Sequence, residues 1–226
     1  MLTESPARES RKKRKAKRKR LLIREVHAIV GGLSNPSKMP GKAYNLSALQ
    51  CNVGSKLRKI PGSVCSDCYA LKGRYGFKNV QSALDRRRKS LSDPRWIPAM
   101  VTLIKKQSPD YFRWHDSGDL QSVDHLAQIV AVCRETPETR HWLPTRERGM
   151  IREYLARGDT FPPNLVIRES AAMVDQIPTL AAGVLGSIVW KETPPGAGVH
   201  QCPAPDQDNN CGACRACWSP KVRVVG

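Results

Sequence analysis

The sequence predicts an α/β fold: a partial parallel (βα) barrel of about five strands with a Cys-rich C-terminal metal-binding tail. Three observations predict it. Short β-prone runs alternate with segments of helical period, the signature of right-handed βαβ units and a parallel sheet. Each run ends in polar or thiol-bearing residues. Seven of the eight cysteines fall in two tight groups, Cys51, Cys65 and Cys68, then Cys202, Cys211, Cys214 and Cys217.

In chain order, residues 21–32 (LLIREVHAIVGG) suit a short helix or strand ended by the Gly pair, and the Pro, Gly, Ser and Asn of residues 33–42 make a loop. The first strand is expected around Tyr44 to Leu49, delivering Cys51 into a basic loop that ends in Cys65, Cys68 and Tyr69. Phe77, Val80 and Leu84 mark an amphipathic helix over 77–88. Pro94 opens a second helix through Ile97, Met100, Val101 and Ile104. The run DYFRW (110–114) is a strand ending in HDSGD. Ser122 then caps a helix whose apolar face is Val123, Leu126, Ile129, Val130 and Cys133. Strand TRHWLP (139–144) ends in Thr145, Arg146 and Glu147 and precedes a helix over 150–156. Residues 164–167 form a strand ending in Arg168, Glu169 and Ser170, residues 176–182 a short helical segment, and 186–190 the last strand, ending in Lys191 and Glu192.

Three regions follow: a basic disordered arm over residues 1–25, the partial barrel over 26–195, and the Cys-rich tail over 196–226. The arm sets eleven Lys and Arg against three Glu in a chain of net charge +18. So dense a block repels itself. It suits a nucleic acid or nucleotide partner through counterion release; a solvated, solubilising tail is the plainer account. Hydrophobic residues at 40% and charged residues at 26% exclude a chain disordered throughout. No apolar run approaches the roughly 18 residues of a membrane helix, and no secretory apolar core is present. The expectation is a cytoplasmic protein with no membrane partner.

Clustered C-x-x-C pairs in a cytosolic chain point to metal rather than disulfides. Three thiols are too few to close a tetrahedral site, whereas a catalytic metal keeps one position open; a fourth ligand from the tail or a His is the alternative. The tail, C-x8-C-x2-C-x2-C, has enough thiols to close a site by itself. Either zinc or a second [4Fe-4S] cluster accepts that set, and the bland reading is a staple locking the tail in place.

In a parallel α/β array, ligands bind where the carboxyl ends of strands converge. Thiols, HDSGD, TRE, RES and KE at successive ends describe one polar, anion-accommodating mouth, although Asp, Ser and Thr also cap helices. Proton-transfer candidates are His115, Asp116 and Glu147, because a carboxylate beside an imidazole can orient it. Cys133 reads as core, His27 and His125 as surface or cap residues, His141 as remote from the mouth, and Trp114, Trp142 and Trp190 as core.

The pieces SKMPGKAYNL, CSDCYALKGRY, WHDSGDL, LPTRE and CGACRACW resemble the phage gene product 88 family, from about Ser37 to Trp218. More distantly, the layout resembles radical S-adenosylmethionine enzymes, with three cysteines after the first strand and a Gly-rich acidic stretch after the second. SGD is similar to the stretch that holds the methionine amino group, and TRE to a Thr-Lys pair at a later strand end. The thirteen residues between Cys51 and Cys65 depart from the close spacing usual there, and Asp67 stands where an aromatic residue is usual, with Tyr69 nearby as a substitute. The resemblance implies a [4Fe-4S] cluster on Cys51, Cys65 and Cys68 with S-adenosylmethionine as cosubstrate. It also implies a pocket lined by Tyr69, Asp116, Ser117, Gly118, Asp119, Thr145, Arg146, Arg168 and Ser170. The reading is therefore an iron–sulfur enzyme of radical type acting on a nucleic acid or nucleotide. The alternative is a non-catalytic, zinc- or cluster-stapled nucleic-acid-binding phage protein, and a catalytically dead barrel is a third.

Overall fold

The computed structural model describes residues 23–180, 184–191 and 196–226. Its centre is one all-parallel sheet of seven strands in the order β1-β2-β3-β4-β5-β7-β6. The strands are β1 (Lys42–Tyr44), β2 (Tyr111–Trp114), β3 (Arg140–Thr145), β4 (Leu165–Ser170), β5 (Leu185–Ser187), β6 (Val199–His200) and β7 (Val224–Val225). The helices are α1 (Ile23–Val30), α2 (Asn52–Leu57), α3 (Lys78–Ser90), α4 (Trp96–Gln107), α5 (Val123–Glu135) and α6 (Arg148–Ala156).

The expected partial barrel is thus an open sheet with β1 and β6 at its edges, and the expected five strands become seven. The added pair, β6 and β7, comes from the tail, which joins the same sheet. Two-residue strands are too short to show any alternation, so their sequence carries no period. The first strand is shorter than expected because Ser47 caps a 3-10 turn (Ala48–Gln50), its hydroxyl accepting from the Leu49 amide. Residues 176–180 are not helical, and residues 181–183 lie outside the described residues. So do residues 1–22 of the predicted arm, while Ile23 to Glu25 already belong to α1.

Period-2 alternation separates two layers. Phe112, Trp114, His141, Leu143 and Leu165 are buried on the helix-covered face, in a core shared with Val26, Val30, Trp96, Leu103, Leu126 and Ile129. Ser122 caps α5 as expected, accepting from the His125 amide at 3.1 Å. The Tyr44 hydroxyl ties β1 to the helices, contacting the Val30 and Arg87 carbonyls at 3.0 and 2.9 Å and accepting from Trp96 Nε1. On the opposite face the tail packs down through Trp218, whose Nε1 donates to the Phe112 carbonyl at 3.0 Å. Its ring meets Tyr111 and Trp142 edge-on.

Cys133 and Trp114 are core residues. Trp142 and Trp190 are only half-buried, and Trp190 lies just beyond β5. His125 is buried rather than on the surface, and half-buried His27 pairs with the Gln107 side chain. Among the described residues, no helix is long and apolar enough to cross a membrane.

Candidate functional site

Cys51 occupies the residue before α2, whose first turn is met by the glutamate that precedes α6: the Val53 amide donates to Glu147 Oε1 at 2.8 Å. Gly54 lies directly beneath the thiols. A Cβ there would stand 2.9 Å from Cys51 Cβ and 3.5 Å from Cys65 Sγ, so glycine provides the close approach. The chain then returns along the loop after β4. Val64 donates to the Ala172 carbonyl, Val174 donates to the Gly62 carbonyl, and Ser63 bridges Met173. The Ser63 hydroxyl donates to Leu57 O and accepts from the Ser66 amide. These stitches carry Cys65 and Cys68 back beside Cys51 despite the long insertion. Burial pushes the Cys51 thiol up to about 12, with Asp119, Cys65, Cys68 and Glu147 adding to it, and burial raises Cys65 while Arg146 opposes it.

Beyond β2 the backbone turns through His115 at φ 55° and Gly118 at φ 75°. Gly118 is required twice over, since a Cβ there would also lie 2.7 Å from the Leu46 carbonyl oxygen. Leu46 and Ser117 exchange backbone and hydroxyl hydrogen bonds, and the Asp116 amide donates to Asn45 Oδ1. Asp116 does not orient His115. It faces Tyr75, whose hydroxyl donates to it at 3.4 Å, and its backbone carbonyl accepts from the Tyr69 hydroxyl. Burial raises Asp116, with Arg113 opposing. Neither ring nitrogen of buried His115 has a partner, and the ring meets His125 edge-on.

Asp119 is a bracket. Thr145 Oγ1 and the Leu120 amide donate to its Oδ1 at 2.6 and 2.8 Å, and the Arg146 amide donates to its Oδ2 at 2.9 Å. Burial nonetheless lifts its carboxyl to about 6. Thr145 and Glu147 are both buried in holding these turns together and do not line the mouth. Arg146 does line it, with Nε donating to the Ala171 carbonyl, and so does Ser170, paired with Ser187.

Arg168 departs furthest from expectation. It is fully buried, and all its N–H groups are used: Nε to Cys217 O, Nη1 to Gly186 O and Arg223 O, Nη2 to Ala216 O and Ser219 O. It clamps the tail onto the sheet and lines no mouth, because a long cation on the tail-facing side of β4 reaches five backbone acceptors there. The tail is fastened further by the Cys211 amide donating to Lys38 O, and within the tail the Cys202 amide donates to Gly226 O. Burial pushes Cys217 up to about 12, with Arg168 and Arg113 opposing and Cys202 and Cys211 adding. Cys214 Sγ lies 3.4 Å from His200 Nε2.

One cavity of about 780 Å3 opens at the carboxyl ends of the strands. It brings together Cys51, Cys65, Cys68, Tyr69, Arg146 and Ser170, the HDSGD stretch, and Cys202 and Cys217 from the tail. Cys211 and Cys214 do not line it. Arg113, unremarked in the sequence, lines the cavity and opposes the rise of Cys211 and Cys217, its guanidinium 4.4 Å over the Trp142 ring. A charged residue at the centre of the aromatic run YFRW was the available signal. Among the described residues, no group of three or more His, Cys, Asp or Glu is gathered so as to hold a metal ion. The three loop thiols are nevertheless close enough to disfavour one another's ionisation, and the donors suit thiophilic metals or iron–sulfur clusters.

No curated protein and no solved structure matches the chain. The family model described as gene product 88 matches residues 7–220. That span includes the cavity's thiols and every strand but β7, so the chain belongs to the gene product 88 family.

Proposed function

We propose that this chain is an iron–sulfur enzyme of radical S-adenosylmethionine type that acts on a nucleic acid or nucleotide. The observation carrying this reading is the single cavity at the carboxyl ends of a parallel sheet, where three thiols share a mouth with the polar ends of β2, β3 and β4. Cys51, Cys65 and Cys68 would hold a [4Fe-4S] cluster, which would supply an open iron and the electron for S-adenosylmethionine chemistry.

The chain's own residues have separable tasks in that arrangement. Gly54 and Glu147 set Cys51 in place. Asp119, held by Thr145 and Arg146, fixes the spacing of the β2 and β3 ends. Asp116, Ser117, Arg146 and Ser170 line the cavity and would face the cosubstrate, and Arg113 would present a cation to an anionic group there.

Iron and acid-labile sulfide on anaerobically purified protein, with an electron paramagnetic resonance spectrum taken with and without S-adenosylmethionine, test the proposal. A signal that changes with the cosubstrate is expected. Substituting Cys65 and Cys68 by Ala removes the loop cluster and leaves the tail metallated. Zinc alone, with no sulfide after reconstitution, sinks the proposal. That result favours a metal-stapled binding protein, a reading that the clamp of Arg168 on the tail also suits.

A further inference from the structure

We infer that residues 69–78, at the lip of the cavity, form a docking platform for single-stranded nucleic acid. The inference rests on a nucleic acid being the partner and is independent of the metal. The segment YALKGRYGFK interleaves aromatic rings with cations. Two 3-10 turns, Tyr69–Leu71 and Gly73–Gly76, carry it across the surface before α3 begins at Lys78. Tyr69 is 59% exposed and Phe77 58%, while Tyr75 supports Tyr69 edge-on with ring centroids 5.9 Å apart. Leu49, 60% exposed, extends the apolar surface from the neighbouring 3-10 turn.

Lys72 is tied to Asp67, so it contributes little field. Arg74 and Lys78 make no ion pair among the described residues, and exposed Arg86 and Lys89 continue the positive track along α3. Cations that follow a backbone, with rings on which bases stack, are what unpaired strands require. A duplex hides the base faces and leaves the rings unused. The Tyr69 hydroxyl, donating to the Asp116 carbonyl, joins the platform to the cavity, so a base stacked there stands at the mouth of the site.

Fluorescence anisotropy on the full chain, with a labelled oligothymidylate and a duplex of equal length, tests this. Phe77→Ala is expected to weaken single-strand binding roughly 5- to 10-fold and duplex binding less than about twofold. Arg74→Ala lowers both and flattens the salt dependence. Phe77→Leu, which keeps the bulk and loses the aromatic face, should reproduce the Phe77→Ala loss if the alanine variant unfolds. Strands substituted with bromouracil should photocrosslink to peptide 69–78. The inference is overturned by unchanged single-strand affinity in the Phe77 variants, by crosslinks confined to residues 1–22, or by polyglutamate competing as well as the strand, which would mark an acidic protein as the partner. Iron and sulfide measured on the same samples separate the two ideas. Phe77-dependent binding without sulfide keeps the platform and loses the cluster, and the converse does the reverse.

Discussion

The loop bearing Cys51, Cys65 and Cys68 and the tail bearing Cys202, Cys211, Cys214 and Cys217 set their innermost thiols among different charges. Two carboxylates, Asp119 and Glu147, push Cys51 upward, and the cations of the loop, Arg146 and Arg58, act instead on Cys65. Around Cys217 stand two guanidinium groups, Arg168 and Arg113, which pull it down. A thiolate beside guanidinium groups is charge-balanced within the fold. One beside carboxylates is not, and a bound cation answers it. Cys51 is therefore the thiol suited to a positively charged centre at the open cavity, and Cys217 the one suited to structure.

The sharpest way to break this contrast is Arg168→Met. Five carbonyls lose a donor, but those of Arg223, Ala216 and Ser219 each keep a backbone N–H partner, so urea unfolding should report roughly 2–3 kcal/mol lost. The tail cysteines should become accessible to thiol reagents while loop metal content holds. A variant losing less than ~1 kcal/mol would mean that the clamp is not what seats the tail.

Acid should destabilise the fold as a whole, because two of its main targets, His125 and His141, lie in the helix-side core. Burial depresses His125 and His141 to about 3, and His115 well below its ordinary value. Between pH 6.5 and that range the unfolded chain binds the extra protons, so stability is full above about 6.5 and falls as pH drops. At pH 5 each of His125 and His141 costs ~2 kcal/mol. Asp119, raised to about 6, works the other way: the folded state takes its proton first, which returns ~1 kcal/mol by pH 5. Thermal melts at pH 7 and pH 5 should show a net loss of ~2–3 kcal/mol before His115 adds its share, with both thiol groups exposed together.

Gly54→Val should disturb the loop alone. Its branched side chain meets Cys51 and Cys65, an overpacking worth ~1–3 kcal/mol, and metal should be lost from the loop before the tail. The mildest change is Thr145→Val, which removes one donor from Asp119. A loss of ~1 kcal/mol is expected, with a loop metal affinity that weakens while the tail's does not.

The strands over YFRW, RHWLPT and LVIRES are where the sequence puts them, because they alternate with clearly periodic helices, whereas the expected first and last strands meet β1 only at Tyr44 and β5 only at residues 186–187. Ser122 announced its helix by its own chemistry. What the sequence hid has physical causes. β6 and β7 are held by their neighbours rather than by their own pattern. Arg168 followed a strand as a site residue would, yet only the packed tail shows which carbonyls it reaches. His125 looked like a cap residue from its place beside Ser122, but the ring turns inward against Trp96 and His115. Thr145 was found correctly as a strand-end group and assigned to the pocket, whereas its hydroxyl is occupied by Asp119. Conversely, the thirteen-residue insertion between Cys51 and Cys65 does not keep the thiols apart, since the loop after β4 stitches it back.

The position of β7 sets an order of assembly. Residues 224–225 follow every other element in sequence, yet they pair on one side with β5 and on the other with β6. Until they arrive, β5 is an unprotected edge open to wrong partners, and β6 has nothing to join. The sheet is completed from its middle by its latest strand, a pairing of long sequence range that forms slowly. Cys202 N and Gly226 O, bonded at 2.7 Å, come together in that same step. Completion of the sheet and seating of the cysteine tail are thus one event, and a chain stalled before it presents its cavity unfinished and its β5 edge bare.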